Sequence, residues 1–217
     1  MRARITFSKT GGLRYIGHLD LATIWERAAR RAGLPLAYTQ GFHPQPKMNF
    51  ASALPLGFSS RGEIMDMRLN EDLGLKTLST QLQKALPAGI EVLKLESVDE
   101  QAPPLQTQLV SVEYEVTLAE AVDGLKLQSK IDELMASQNL PRQRRGKSYD
   151  LRPLIEELAP LCLPQNSSNG GGEKEGGIFM RLAAREGATG RPEEVLDVLG
   201  IAIEQTQVER TRLIFKN

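Results

Sequence analysis

The chain has 217 residues, of which 41% are hydrophobic and 25% are charged, and its 27 Lys and Arg residues balance its 27 Asp and Glu residues. No apolar run approaches the roughly 20 residues that a membrane-spanning helix needs, and residues 1–9 lack the basic and apolar blocks of a secretory signal. We therefore expect a soluble, cytoplasmic protein of two domains with no membrane attachment.

The cysteine and histidine counts restrict the chemistry. Cys162 is the only cysteine, which excludes an internal disulfide, a CxxC redox pair and an iron–sulfur cluster held by the thiolates of one chain. His18 and His43 are the only histidines, and two histidines alone do not make a metal site. We predict no metal and no cofactor for this chain.

The first half of the sequence predicts the order βαββαβ. Residues 2–8 alternate between polar and apolar side chains, as a half-buried strand does, and residues 18–32 place apolar side chains at helical spacing before a stop at Gly33. Further along the chain, the pattern predicts a short strand at 35–38, a loop at 41–57, a strand at 63–69, a helix at 75–86 and a strand at 90–98.

The second half repeats this order of elements. Two prolines at 103–104 indicate a linker, and glycines indicate a flexible loop at 166–177. The pattern predicts strands at 112–118, 142–151, 178–182 and 208–215, with helices at 127–135 and from 191 onward. We therefore predict an α+β protein of two tandem ferredoxin-like (βαββαβ) units with antiparallel sheets, namely a basic domain at 1–100 and an acidic domain at 107–217.

The charge distribution indicates an anion-binding surface in the first domain. Residues 1–98 hold 13 Lys and Arg against 8 Asp and Glu, a balance of +5, whereas residues 99–217 hold 14 against 19, a balance of −5. Arg27, Arg30 and Arg31 lie opposite the apolar stripe of the first helix, and three guanidiniums could hold phosphates. A solvated basic helix explains the same pattern, so both interpretations stay open.

Other features of the first domain complete the candidate site. Arg2 and Arg4 lie on the polar face of the first strand, and the loop Gly41–Lys47 is fixed by prolines and exposes polar groups. The two glycines before the first helix lack the spacing of a phosphate-binding loop. The candidate ligand-binding residues are Arg2, Arg4, Lys9, Arg14, His18, Arg27, Arg30, Arg31, Phe42, His43 and Lys47, with Tyr15, Phe42 or Phe50 available for base stacking.

Several short motifs, taken in order along nearly the whole chain, resemble the radical SAM-linked protein family, a bacterial domain of unknown function. These motifs are Phe7-Ser8-Lys9-Thr10-Gly11, His18-Leu19-Asp20, Arg30-Arg31-Ala32-Gly33-Leu34-Pro35, Gly41-Phe42-His43-Pro44-Gln45-Pro46-Lys47, Leu54-Pro55-Leu56-Gly57, Asp150-Leu151-Arg152-Pro153 and Arg210-Thr211-Arg212-Leu213. In that family the domain is either fused behind a cobalamin-binding radical SAM enzyme or a separate protein. Its members commonly carry a second histidine near position 45, where this chain has Gln45.

The resemblance implies a non-catalytic accessory or substrate-recognition module, with a radical SAM enzyme as its partner and RNA or another polyanion as its ligand. One alternative is a metal-independent endoribonuclease of ferredoxin-like type that uses His18 or His43 as a general base. Because Asp20 follows His18 closely and serves equally well as a helix cap, the residues alone do not favour catalysis. A protein-binding scaffold is the third interpretation.

Overall fold

The structure, a computed structural model, describes residues 1–120, 122–144, 146–161 and 176–216. It is a mixed α and β protein whose strands pair mostly in antiparallel fashion. The chain divides into two compact units, Met1–Leu109 with Lys216–Asn217, and Val110–Phe215.

Among the described residues, no helix combines the length and the apolar character needed to cross a membrane.

The first unit builds one antiparallel sheet with two main helices. Its elements in chain order are β1 (Arg2–Lys9), α1 (His18–Arg31), β2 (Met48–Phe50), β3 (Ser59–Arg68), α2 (Leu75–Ala85), β4 (Ile90–Val98) and the short α3 (Leu105–Gln108). β1 pairs with both β3 and β4, and β2 pairs with β3, so the strand order is β4-β1-β3-β2. α1 and α2 connect strands that are not neighbours in this sheet.

The core of the first unit follows from the alternation of β1 and the apolar stripe of α1. Ala3, Ile5 and Phe7 of β1 are fully buried, and the Trp25 ring of α1 meets the Phe7 ring edge-on at 4.8 Å. Such edge-to-face packing suits the aromatic quadrupole. The helix ends at Arg31 with Ala32 as its C-cap, and Gly33 follows with φ 68°, a left-handed conformation that glycine adopts readily. The predicted helix and its stop are therefore confirmed.

The second strand of this unit lies later in the chain than predicted. Residues 35–38 form only the isolated bridges Leu36 to Leu69 and Tyr38 to Pro46, whereas β2 lies within the predicted loop 41–57. Proline has no N–H to donate to a ladder, so regular pairing begins only after Pro46.

The second unit has the same order of main elements plus a separate hairpin. Its elements are β5 (Leu109–Leu118), α4 (Gly124–Ala136), β6 (Pro141–Arg144), β7 (Lys147–Asp150), β8 (Ile155–Leu161), β9 (Gly177–Arg185), β10 (Ala188–Thr189), α5 (Pro192–Leu199) and β11 (Thr206–Phe215). β9 pairs with β5 and β8, and β5 neighbours β11, so the strand order is β8-β9-β5-β11. β10 folds back on the end of β9.

The single strand predicted at 142–151 is wrong. The segment is a hairpin in which β6 pairs with β7 as a two-stranded sheet, and Gly146 in its turn has φ 76°. Besides β5, β9 pairs with β8, a strand that was not predicted because Glu156 and Glu157 interrupt the alternation and Pro160 disfavours a ladder. β8 lies at the edge of the sheet, where a proline is tolerated.

The predicted flexible loop at 166–177 lies outside the described residues, apart from its last two glycines. Gly177 begins β9. Cys162 also lies outside the described residues.

Candidate nucleic-acid interface

Two of the predicted cations, Arg2 and Arg4, share one buried carboxylate. Arg2 donates from Nε and Nη2 to Oδ2 of Asp66 at 3.0 and 2.7 Å, and Arg4 donates to the same carboxylate at 2.8 and 3.1 Å. Asp66 is 1% exposed and Arg2 is 3% exposed. The polar face of β1 is therefore covered at this point.

Arg2 also holds the segment that follows β4. Its guanidinium donates to the backbone carbonyls of Ala102 at 2.5 Å, Pro103 at 3.1 Å and Asp99 at 3.3 Å. The residues predicted to form a linker are thus fixed against the first unit by a buried cation, which explains why the unit extends to Leu109.

Lys9 is a third predicted ligand residue that is buried. Its side chain is 1% exposed, and Nζ donates to the carbonyl of Ile16 at 3.1 Å. Arg2 and Lys9, both predicted as ligand-binding residues, are therefore buried.

The outer face of α1 is exposed as predicted. Arg30 lies 3.5 Å from Glu26, and Arg31 donates to the carbonyl of Ala85 at the end of α2. Arg27 is exposed, and its side chain makes no hydrogen bond or ion pair with any described residue. Arg27 and most of the Arg30 guanidinium are thus accessible to an anion.

The loop before β2 is closed on itself and presents an aromatic ring. Thr39 N donates to Gln45 O at 2.8 Å, and Gln45 N donates to Thr39 Oγ1 at 2.9 Å. At the tip, the Phe42 side chain is completely exposed. His43, the next residue, and Lys47, at the end of the loop, are exposed as well. Hydrogen bonds hold the base of the loop in place. The Phe42 ring is therefore exposed at the tip of an ordered loop, without packing against the core.

A second exposed ring lies just before α1. The guanidinium of Arg14 stands 4.8 Å from the ring centre of Tyr15, whose side chain is 63% exposed. These residues belong to a 3-10 turn, Gly11–Tyr15, which begins with Gly11 at φ 61°. Cation–π pairs of this kind keep a cation and an aromatic face together at the surface.

A cleft of about 370 Å³, here called the α1 cleft, opens between α1 and the segment containing β2. His18 lies in it and meets the Phe50 ring edge-on at 5.2 Å. Phe50 is 6% exposed, so it forms the floor of the cleft and is not a free stacking surface. The other lining residues are Leu19, Ala22, Thr23, Glu26, Gln45, Pro46, Met48, Asn49 and Gln106.

The α1 cleft contains polar side chains that the sequence analysis missed. Asn49 and Gln45 bring exposed amide groups to its rim, and the Gln106 amide donates to the carbonyl of Phe50 at 2.7 Å. Amide side chains can donate and accept at once, as recognition of a base edge requires. Asn49 occupies the exposed middle position of β2, a signal that was hidden because β2 itself was not predicted.

Arg27 and Arg30 lie on the same face of α1 as two residues that line the α1 cleft. Thr23 and Glu26 line the cleft, and Arg27 and Arg30 follow each of them by four residues. Residues four apart lie on neighbouring turns of the same face. One face of α1 therefore carries polar cleft residues in its first half and accessible cations in its second half.

The site brings together some predicted residues and separates others. His18 shares the α1 cleft with Gln45, while Arg27 and Arg30 continue the same helix face. His43 does not line the cleft. Among the described residues, no group of three or more histidine, cysteine or acidic side chains is arranged to hold a metal ion.

These features define a mixed α and β protein with a polar cleft, accessible cations and exposed rings in its first unit. The chain belongs to a family of uncharacterized proteins conserved in bacteria (DUF2344), whose model matches residues 2–192. The expectation of a bacterial family of unknown function is thereby confirmed. No curated protein matches the sequence.

Solved structures with a similar fold are distant in sequence. A chain of a Cbf5–Nop10–Gar1 complex is 11% identical with a TM-score of 0.52, over 97% of this chain and 48% of that chain. A chain of the archaeal box H/ACA sRNP Nop10–Cbf5 complex is also 11% identical, with a TM-score of 0.47, over 99% of this chain and 49% of that chain. The protein thus spans about half the length of these solved chains, and the first likeness concerns the fold alone.

Proposed function

We propose that the protein binds single-stranded RNA through the face of α1 and the α1 cleft, as a non-catalytic recognition module. The observation that carries this proposal is one helix face on which cleft residues are followed directly by the accessible cations Arg27 and Arg30. Guanidiniums bind phosphates, whereas a narrow polar cleft beside them suits an unstacked base.

The exposed aromatic side chains support the same ligand. Phe42 and Tyr15 offer flat apolar surfaces on which bases can stack, a contribution of about 1–3 kcal/mol per base in proteins that bind single strands. Duplex RNA keeps its bases stacked inside the helix and could not use these rings. Single-stranded RNA is therefore the ligand that uses the cations, the rings and the cleft together.

The proposal includes a ferredoxin-like fold for both units. The sheet order β4-β1-β3-β2, with α1 and α2 as crossovers, supports it for the first unit. The order β8-β9-β5-β11, with α4 and α5 as crossovers, supports it for the second unit, into which the β6–β7 hairpin is inserted. Ferredoxin-like sheets are common platforms for RNA, although fold by itself does not decide function.

The partner in this proposal is a radical SAM enzyme. Its support is the resemblance of the sequence motifs to the radical SAM-linked family. A radical SAM cluster needs three cysteine thiolates, and the chain has one cysteine, so the enzyme must be a separate or fused protein. The module would present RNA to that enzyme.

The RNA part is tested by titrating a labelled single-stranded RNA at several salt concentrations. Replacing Arg27 and Arg30 by Ala should weaken binding and reduce the slope of log K against log salt by about 1.4, at about 0.7 per lost phosphate contact. The matched control replaces Lys76 and Lys84, two exposed cations of α2, by Ala. An equal loss in both variants, or no RNA binding by the parent protein at low salt, contradicts the proposal.

The stacking role of Phe42 is tested in the same titration. Phe42→Ala should lower the affinity by about 1–3 kcal/mol without changing the salt slope, because the ring carries no charge. Leu93→Ala removes an exposed apolar side chain from β4 and serves as the control. If both substitutions leave the affinity unchanged, Phe42 takes no part in RNA binding.

A metal-independent ribonuclease remains the second candidate because His18 lies inside the α1 cleft with Glu26. If His18 acts as a general base, His18→Ala should abolish RNA cleavage. If the protein is a recognition module, the parent protein should not cleave RNA and His18→Ala should leave RNA binding nearly intact. The measurement is RNA integrity after incubation at binding concentrations.

The partner is tested by recovering the tagged protein from its own cells with and without ribonuclease. Recovery of a radical SAM enzyme under both conditions supports the accessory role. Recovery of RNA without that enzyme contradicts the partner while leaving the RNA-binding part in place.

A further inference from the structure

The β6–β7 hairpin of the second unit borders a groove of about 530 Å³, here called the hairpin groove. Arg144, Lys147 and Tyr149 line it from the hairpin, and Gly187 of the turn after β9 lines it together with Ala188 and Thr189 of β10. Asp150 and Leu154 complete the wall. This volume lies in the range of ordinary small-molecule sites.

The described basic side chains around the hairpin fall into two classes. Arg142 lies 2.9 Å from Asp197 and 4.0 Å from Glu194. Arg152 donates to the carbonyls of Met135 at 2.8 and 3.1 Å and of Ile155 at 3.0 Å. These two arginines are occupied in holding the second unit together.

Arg144 and Lys147 differ from that pair. Neither side chain forms a hydrogen bond or an ion pair with any described residue, and both line the hairpin groove. They are the final residue of β6 and the first residue of β7, and they are cross-strand partners in the hairpin. Directly opposed like charges destabilise an antiparallel pair, so an anion between them would relieve that repulsion.

The remaining groups of the hairpin groove leave this positive charge in place. Asp150 uses Oδ1 to accept from the N–H groups of Leu140 at 2.7 Å and Arg152 at 3.0 Å. Burial raises the pKa of the Tyr149 hydroxyl, and the Glu194 carboxylate raises it further against the opposing effect of Arg144 and Arg142. Tyr149 is thus neutral near pH 7. Among the described lining residues, two cations face the single carboxylate of Asp150, and Glu194 contacts the Tyr149 hydroxyl from outside the lining.

The opposite wall suits the close approach of a phosphate. Gly187 has φ 75° and no atom within 4 Å of the position that a Cβ would occupy, so the backbone is open there. Thr189 adds a hydroxyl to the lining, and Tyr149 adds an aromatic side chain. Phosphates are bound by such combinations of backbone, hydroxyl and cationic groups.

We propose that the hairpin groove binds a nucleotide unit, with Arg144 and Lys147 on its phosphate and Tyr149 beside its base. The site lies wholly in the second unit, although that half of the chain is acidic overall. It does not depend on the α1 cleft. A nucleotide of an RNA strand and a free nucleotide share this chemistry, and the experiment distinguishes them.

The direct test follows the backbone amide resonances of Gly146, Lys147 and Thr189 in the full-length protein. Uridine 5′-monophosphate and a short oligouridylate are added separately, with unphosphorylated uridine as the control. Shifts with both phosphorylated probes support a general nucleotide site, and shifts with the oligomer alone assign the site to an RNA strand. No shift with either probe, or equal shifts with uridine, overturns the proposal.

The second test uses variants in the RNA titration. Replacing Arg144 and Lys147 by Ala should weaken RNA binding by about tenfold or more and should lower the salt slope by about 1.4. The control replaces Lys84 and Lys126, which are exposed cations outside the groove, by Ala. Equal effects in the two variants overturn the proposal.

The two tests separate this site from the proposed function. If the α1 variants lose no RNA affinity while the hairpin resonances shift and the hairpin variant loses affinity, the α1 interface is wrong and the hairpin groove stands. If the hairpin resonances stay unchanged while the α1 variants lose affinity, the hairpin groove is wrong and the α1 interface stands.

Discussion

The arginines of β1 and those of α1 look alike in the sequence and serve different purposes in the structure. Arg2 and Arg4 converge on the buried Asp66, whereas Arg27 faces solvent without a partner among the described residues. A buried cation with a carboxylate and carbonyls around it belongs to the fold, and an exposed cation beside a cleft is available to a ligand. The position of the complementary carboxylate decides which case applies.

The same distinction recurs in the second unit. Arg142 and Arg152 are held by carboxylates and backbone carbonyls, while Arg144 and Lys147 line an open groove. All four residues lie within a short basic stretch that composition cannot subdivide. The comparison predicts that removing the held cations or their partners costs stability, whereas removing the accessible cations costs binding.

The largest expected effect is the loss of stability when Asp66 is replaced by Ala. Asp66→Ala leaves the guanidiniums of Arg2 and Arg4 without their carboxylate, and Arg2 cannot reach water. Breaking a buried ion pair on one side costs about 3–5 kcal/mol, so the free energy of unfolding in urea should fall by that amount. Glu71→Ala, at an exposed position, should change it by less than about 0.5 kcal/mol. A loss at Asp66 no larger than the control would show that the pair is not structural.

A smaller loss of stability is expected when Arg152 is replaced by Ala, and almost none when Arg144 is replaced. Arg152→Ala removes three hydrogen bonds from a guanidinium to the carbonyls of Met135 and Ile155 and should cost about 1–3 kcal/mol of stability. Arg144→Ala should leave stability within about 0.5 kcal/mol of the parent. Both losses are measured by urea unfolding of the full-length protein. The reverse order of the two losses would contradict the division into held and accessible cations.

The sequence predicted those elements whose apolar period is unbroken. α1 was predicted with its end because Leu21 and Trp25 recur at helical spacing and Gly33 stops the helix. β8 was missed because adjacent glutamates and Pro160 conceal a strand that lies at a sheet edge. Local patterns therefore suffice for a helix that buries one regular stripe, and they fail for a strand whose pairing is set by its neighbours.

The candidate site was harder to predict because its partners are distant in the chain. Alternation correctly assigned Arg2 to the polar face of β1, yet only the fold brings Asp66, 64 positions away, onto that face. In the same way, Asn49 of β2 and Gln106 of α3 reach the α1 cleft only because these two elements, distant in the chain, pack together. The sequence indicates which face a side chain takes, and the tertiary structure determines what covers it.

The smallest expected effect concerns Tyr149 in the wall of the hairpin groove. Burial raises the pKa of the Tyr149 hydroxyl above its usual value near 10, and the Glu194 carboxylate raises it further. Arg144 and Arg142 act in the opposite direction and lower it. The folded protein therefore holds this proton more tightly than the unfolded chain. The resulting stability is complete below about pH 10 and is lost as the pH rises toward the pKa of the folded state.

Tyr149→Phe tests this dependence because it removes the titrating hydroxyl and keeps the ring. Unfolding in urea should show a smaller loss of stability above pH 10 for the variant than for the parent, with no difference in slope near pH 7. Arg144→Ala is a useful companion, because removing a cation that lowers the pKa should raise the Tyr149 pKa and steepen the alkaline loss. Identical alkaline profiles for all three proteins would mean that Tyr149 is as solvated in the folded protein as in the unfolded chain.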